Sequence, residues 1–370
     1  MRGIKSGGVA ALAAMALILS ACGGGSSAGG ESPGSASNGT AAAGECPDGV
    51  VTLSVLGLKG SLPRQAQLDA YTATNPCVKF SLTDVPFGQL AQKISILAPS
   101  DNPPDILTID GPDTQSYASS GILYPLDDYL PADFKTDAVS ATLAENTWDG
   151  KIYSPGIIQD SLALWYNKDM TDKAGITVPT TLEDAWTWPE ARDAFLKCQA
   201  ANEGVMGLAP SRLGNGTPGF AYRDLLFLRS AGDPKASEDS SAYKTYWALS
   251  KDGKEVDGWL NTPEAIEAAT FYQSLFQGDK TVTSTTGLPN ALVDKKACFD
   301  LDTTSAAEAQ VAPDKLGFTL GITPVPYFKT PIVHTGSTQL AVPSRSKNKE
   351  IAAKVVVALS TGELALEYVR

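Results

Sequence analysis

Apolar, β-branched runs at residues 50–56, 78–83 and 105–109 are separated by helix-period segments, and this alternation narrows the fold more than any other feature of the chain. Gly57 ends the first run, and Ser61-Leu62-Pro63 reads as a helix start with an N-cap and a proline in the first turn. Leu90, Ile94 and Leu97 recur at helical spacing over 87–98. Pro103-Pro104 halts the chain before the third run, and Gly121 ends a short helix over 114–119. Such βαβαβ order predicts a parallel sheet covered on both faces, with ligands beyond the strand C-termini. That places Lys59 and the turn from Asp110 to Asp113 on one rim, so Lys59, Asp110 and Asp113 are binding candidates.

A second passage sets the domain organisation. Asp149-Gly150 reads as a tight turn feeding a short strand at Lys151-Ile152-Tyr153, and Pro155-Gly156 breaks the ladder. The apolar run 157–166 then carries three polar residues near its mouth, Gln159, Asp160 and Ser161. They either cap a strand end or face a ligand. Trp165 and Tyr166 are consecutive on this strand and must face opposite ways.

The first residues speak to location. Arg2 and Lys5 precede an apolar stretch, 9–19, that is too short to span a bilayer comfortably. Leu19-Ser20-Ala21-Cys22 closes it and resembles the lipobox of bacterial lipoproteins, which implies a signal peptide over 1–21, lipidation at Cys22 and residence on the outer face of the cytoplasmic membrane. Residues 22–45, rich in Gly, Ser and Ala, have the composition of a flexible tether. The formal charge of −12 argues against nucleic acid and against a polybasic membrane patch. Four cysteines remain beside Cys22, an even number suited to an oxidising compartment. Three pairings are open. Cys46 and Cys77 each precede a strand, so neighbouring parallel strands would join them, leaving Cys198 with Cys298 by elimination.

Several segments resemble the carbohydrate-type solute-binding proteins of bacterial ABC importers. They are Asn102-Pro103-Pro104-Asp105-Ile106, the run from Gly121 through Asp127-Asp128-Tyr129, Asp149-Gly150-Lys151-Ile152-Tyr153, and above all Tyr166-Asn167-Lys168-Asp169 followed by Ala174-Gly175-Ile176. The resemblance implies an α/β, two-lobed, periplasmic-binding-protein-like fold, each lobe a mainly parallel sheet flanked by helices. Residues 46–158 and 325–370 would make one lobe and 159–324 the other, joined by hinge crossovers. It also implies a hydrogen-bonding role for Gln159 and Asp160 at the crossover, a stacking role for Tyr222, and ligand contacts from Gly336 and Ser337 in the return segment that includes His334. Tyr166-Asn167-Lys168-Asp169 is expected to serve architecture rather than recognition.

The chain departs from the family pattern in places. Asp302-Thr303-Thr304 stands where a Gly/Trp strand end is usual, so a stacking platform is missing there and Thr304 becomes a polar candidate. Trp186-Thr187-Trp188-Pro189 is displaced by a few residues, leaving its tryptophans either near the cleft or packed at a helix start. The family pattern would continue past residue 370, so either a piece of the second lobe is expected beyond it or the chain is a family member with a shortened C-terminus. By the resemblance, the partners are a carbohydrate and a membrane permease, the chain acts as a monomer with no cofactor, and its membrane contact is through lipid alone. An enzyme is not expected, because His334 is the only histidine and no phosphate loop is present. The alternatives are an orphan sensing or adaptor lipoprotein, and a surface-anchored glycoside hydrolase using paired carboxylates.

Overall fold

The computed structural model describes residues 46–47, 49–210, 221–304 and 311–366. Its strands are β1 (Val51–Leu58), β2 (Val78–Val85), β3 (Ile106–Asp110), β4 (Thr147–Trp148), β5 (Lys151–Ile152), β6 (Ile158–Asn167), β7 (Met206–Leu208), β8 (Ala297–Thr303), β9 (Leu320–Thr323) and β10 (Thr335–Ala341). They all lie in the unit Ala43–Arg370. The large sheet runs β2-β1-β3-β10-β6-β8-β7, with β9 also on β6.

The expected alternation forms the first part of this sheet. β1 pairs in parallel with β2 and β3, and β7 pairs in parallel with β8. β6, which leaves the first core, is antiparallel to β8, and β10, which returns, is antiparallel to both β3 and β6. One helix starts later than the sequence predicts. Leu62 O accepts from Leu58 N and from the Thr108 hydroxyl, which holds 61–63 in a turn, and the helix begins at Gln65 with the Gln67 side chain accepting from Arg64 N.

Two cores flank the crossover. Leu53, Val55, Ile106, Leu340 and Val342 pack against helix Lys349–Ser360, which buries Ala352, Ala353, Val355, Val356 and Leu359. Each large aliphatic side chain buried here contributes about 1.5–3 kcal/mol as an upper estimate. The other core gathers Leu164, Trp188, Phe195, Leu208, Phe227 and Phe299. Trp188 is 1% exposed and stacks on Phe227 at 3.7 Å, so of the two readings of Trp188 the packed helix start is the one realised. Thr187 caps that helix, Trp188–Ala201, with Glu190 reaching back.

Both expected disulfides are present. Val51 lies opposite Val78 in the parallel pair, which brings Cys46 and Cys77 to a Cα separation of 5.5 Å. Cys198, on helix Trp188–Ala201, meets Cys298 on β8 at 6.4 Å, with both residues fully buried. Among the described residues no helix is long and apolar enough to cross a membrane.

The 149–169 passage resolves into a hairpin and one long strand. Asp149 and Gly150 take φ of 47° and 73° between β4 and β5, as a two-residue hairpin turn requires. After Pro155-Gly156 the apolar run forms one continuous strand, β6, which changes partner midway. Residues 158–161 pair with β10, and 162–166 pair with β8. Trp165 packs with Leu292, Leu316 and Phe318, while Tyr166 packs on Phe299 from the opposite face. The Tyr166 ring leaves room only for glycine at 321, since a Cβ there would lie 2.1 Å from the ring. Asn167 is 1% exposed and its side chain accepts from Met170 N, capping helix Lys168–Lys173. The best family marker is thus architectural, as the sequence suggests.

Candidate functional site

Three strands converge where β6 leaves one core for the other. Register sets Asp110, at the end of β3, opposite Thr338 on β10, and Asp160 on β6 opposite Gly336. Gln159 lies opposite Ser337. Alternation therefore sends Gln159 and Ser337 to one face and Asp160 to the other.

On the first face, side chains bind one another. Thr142 donates to Gln159 Oε1 at 2.5 Å, and Gln159 Nε2 donates to Gly336 O at 3.1 Å. The Ser337 hydroxyl, 3% exposed, donates to Glu145. Buried Gln339 donates to Thr114 and Asn146. Gly111 is confined here, because a Cβ would meet Ser337 Oγ, Glu145 Oε2 and Gln339 Nε2 within 2.7 Å. The network ties helices Thr114–Ser119 and Ser140–Asn146 to β10 and β6.

A group of carboxylates forms beside it. Asp110 is raised to about 7, first by burial and then by the negative charges of Asp113 and Glu145. Burial also raises Asp113, against a hydrogen bond from Tyr117, and raises Glu145, against the Ser337 hydroxyl. Burial with uncompensated like charge leaves these carboxylates suited to donors from a ligand.

On the second face Asp160 accepts from the Thr304 hydroxyl and from Ser161 N. Thr304 N donates to Ser161 O at 2.8 Å. A polar clasp between β6 and the end of β8 thus stands where the family would place a stacking residue. His334 is half-buried, and burial lowers its pKa, with Asp160 opposing and Arg229 reinforcing that shift. Its Nε2 would lie 2.7 Å from a Cβ at Gly336, so the imidazole covers that glycine.

The structure thus brings together Asp110, Asp113, Gln159, Asp160, Thr304, Gly336 and Ser337. Lys59 lies exposed in the turn after β1, with its N–H on Val85 O. The Tyr222 side chain lies outside the described residues, although its backbone is in the first turn of helix Ala221–Ser230. Sequence reading missed Glu145 and Arg229. Glu145 sits in a short helix with no periodic signal, whereas Arg229 directly follows the apolar run 225–228, a place where a cation needs a partner. Arg229 Nε donates to Tyr246 O at 2.7 Å.

The raised pKa of Asp110 ties the stability of the fold to pH. With Asp110 titrating near 7 folded and near 3.8 unfolded, the folded state holds more protons between those values. Stability contributed by the protonated form is therefore present at low pH and lost as pH rises through that window. Asp110→Asn is expected to flatten the pH dependence of thermal unfolding between pH 4 and 7. It should stabilise the protein at pH 8 by on the order of 1–2 kcal/mol after solvent screening. An unchanged or steeper profile would refute this.

The family profile of bacterial extracellular solute-binding proteins matches residues 59–363. A binding protein of Brucella abortus is 28% identical over 56% of this chain and 44% of its own length. The diacetylchitobiose binding protein DasA of Streptomyces coelicolor is 29% identical over 56% of this chain and 50% of its own. The chain thus spans about half the length of the curated relatives it matches. An ABC transporter solute binding protein of Thermotoga lettingae, solved with α-D-tagatose, aligns at a TM-score of 0.70 over 86% of this chain and 79% of that one. At 21% identity that likeness carries the two-lobed fold alone.

Proposed function

The chain belongs to the bacterial extracellular solute-binding protein family, and on that premise we propose that it captures a sugar or oligosaccharide between two lobes and delivers it to an ABC importer permease. One observation carries the reading: β6 changes partner between Ser161 and Leu162, with Asp110, Asp113, Glu145 and Asp160 gathered around the crossing. A strand shared by two cores can flex where its partner changes, and ligand donors held there bias closure by their differential affinity for the closed form. Carboxylates raised by burial and by like charge suit hydroxyl donors better than phosphate. The diacetylchitobiose binder among the relatives supports the same ligand class.

In this reading residues 46–158 with 325–370 make one lobe and 159–324 the other, and the protein acts as a monomer tethered through lipid on Cys22. Cys22→Ser would then leave the membrane fraction, and retention there would refute the anchor.

The deciding experiment is a thermal-shift panel of maltose, maltotriose, diacetylchitobiose, tagatose and mannitol. A ligand at 100 times its Kd stabilises by about 2.7 kcal/mol. Asp160→Asn is expected to weaken that ligand by about 10–100-fold, the range for a lost charge-assisted hydrogen bond. Stabilisation by no panel member, together with tight capture of a protein partner, would favour a sensing or adaptor role. Hydrolysis of a panel member would favour an enzyme.

A further inference from the structure

We propose a second, weaker sugar-contact site, distinct from the crossover, in the cavity lined by Tyr243, Trp247, Leu249, Ser250, Lys251 and Trp259. The cavity measures about 430 Å³, within the range that holds small ligands. None of its lining residues belongs to the crossover network.

Local structure builds this cavity deliberately. Ser240 caps helix Ser241–Trp247 by accepting from Tyr243 N. Ala248 ends the helix with φ of 61°, a left-handed conformation uncommon for a residue with a Cβ. Beyond it, Ser250 Oγ accepts from the N–H groups of Lys254 and Glu255 and donates to Asp252, which fixes the turn. The Tyr243 and Tyr246 rings pack against the Trp247 indole, with ring centroids 6.0 and 5.3 Å away.

Despite that support, Trp247 remains 47% exposed, Leu249 41% and Val256 48%. Large apolar groups grouped at one surface mark a contact site more often than chance. The side-chain set discriminates between occupants. Three aromatic rings around a cavity also suit a quaternary ammonium. Here, however, the wall contains the Lys251 ammonium, held by Glu238 at 2.7 Å. A cation would meet a cation. A pyranose has no such conflict: its C–H faces pack on the indoles, and its hydroxyls donate to Glu238 and accept from Lys251.

The site shares the ligand class of the proposed function but not its residues, so each can fail alone. The test follows the indole N–H signals of the six tryptophans by NMR as maltotriose, cellotriose or choline chloride is added to the protein. The Trp247 and Trp259 signals are expected to move with a sugar at millimolar concentration, unaffected by Asp160→Asn. Trp247→Ala and Trp259→Ala are each expected to weaken that titration about tenfold or more while leaving thermal stability near wild type. Immobile Trp247 and Trp259 signals up to about 50 mM of either sugar, some tenfold above the affinity expected of so open a site, would overturn the proposal. So would choline moving them where the sugars do not. Loss of the tighter crossover binding alone would count against the proposed function and leave this site standing.

Discussion

Replacing both Cys198 and Cys298 by serine is expected to lower unfolding stability by about 4–5 kcal/mol. The bond closes a loop of 100 residues, and the chain-entropy relation assigns about 4.7 kcal/mol to such a closure. The Cys46–Cys77 bond closes 31, for which the same relation gives about 4 kcal/mol. Ser at 198 and 298 would also bury two hydroxyls among Phe195, Leu208 and Phe299, adding to the loss. Urea unfolding of wild type and of each double-serine variant, oxidised and reduced, separates the terms. Because the second bond joins helix Trp188–Ala201 to β8 within one core, its loss should leave affinity at the crossover nearly unchanged in the folded fraction. A loss below about 1 kcal/mol for the 198/298 pair would show that the unfolded chain is already restricted without the bond.

Asp105→Ala is expected to destabilise by about 3–5 kcal/mol. Asp105 is 7% exposed, and its two oxygens accept from Ser54 N, the Ser54 and Ser346 hydroxyls and Asn348 Nδ2. These contacts tie β1 to the start of β3 and to the entry of helix Lys349–Ser360, three places far apart in sequence. Truncation removes four donors' partner at once, and the Ser54 N–H would remain near a vacated, partly buried site. Asp105→Asn keeps the shape but offers one acceptor in place of two, so about half of the loss should be recovered. The measurement is calorimetric unfolding of the two variants. If alanine and asparagine are equally mild, below about 1 kcal/mol, the hub assignment is wrong. The effect is one of stability, so sugar binding measured well below the melting temperature should survive.

Legibility in the sequence followed the range of the physics. Interactions of short range are the legible ones, as capping is: Thr187 and Thr262 accept from the N–H groups of Glu190 and Ala265, three residues on. The hairpin at Asp149-Gly150 can be read for the same reason. Tyr166-Asn167-Lys168-Asp169 is recognisable because Asn167 must cap the next helix and Tyr166 must sit over Gly321. The candidate site is less legible. Gln159 and Asp160 look alike as neighbouring polar residues at a strand mouth. Only the pairing with β10 shows that Gln159 is tied to Thr142 and Gly336 while Asp160 turns to Thr304 and His334.

By itself the sequence determined the α/β alternation and the two disulfide pairs, since each depends on residue type and short spacing, or on strands that adjoin once the sheet is parallel. The tertiary structure alone decided that β6 is one strand shared by two cores, and that Glu145 comes to Ser337 from 192 residues away. It also decided that burial first, and then the charges of Asp113 and Glu145, raise Asp110 to about 7. The reason is physical. Burial and the field of neighbouring charges are properties of a place in space, and a chain pattern with a period of two or 3.6 residues carries no record of which distant side chain will share that place.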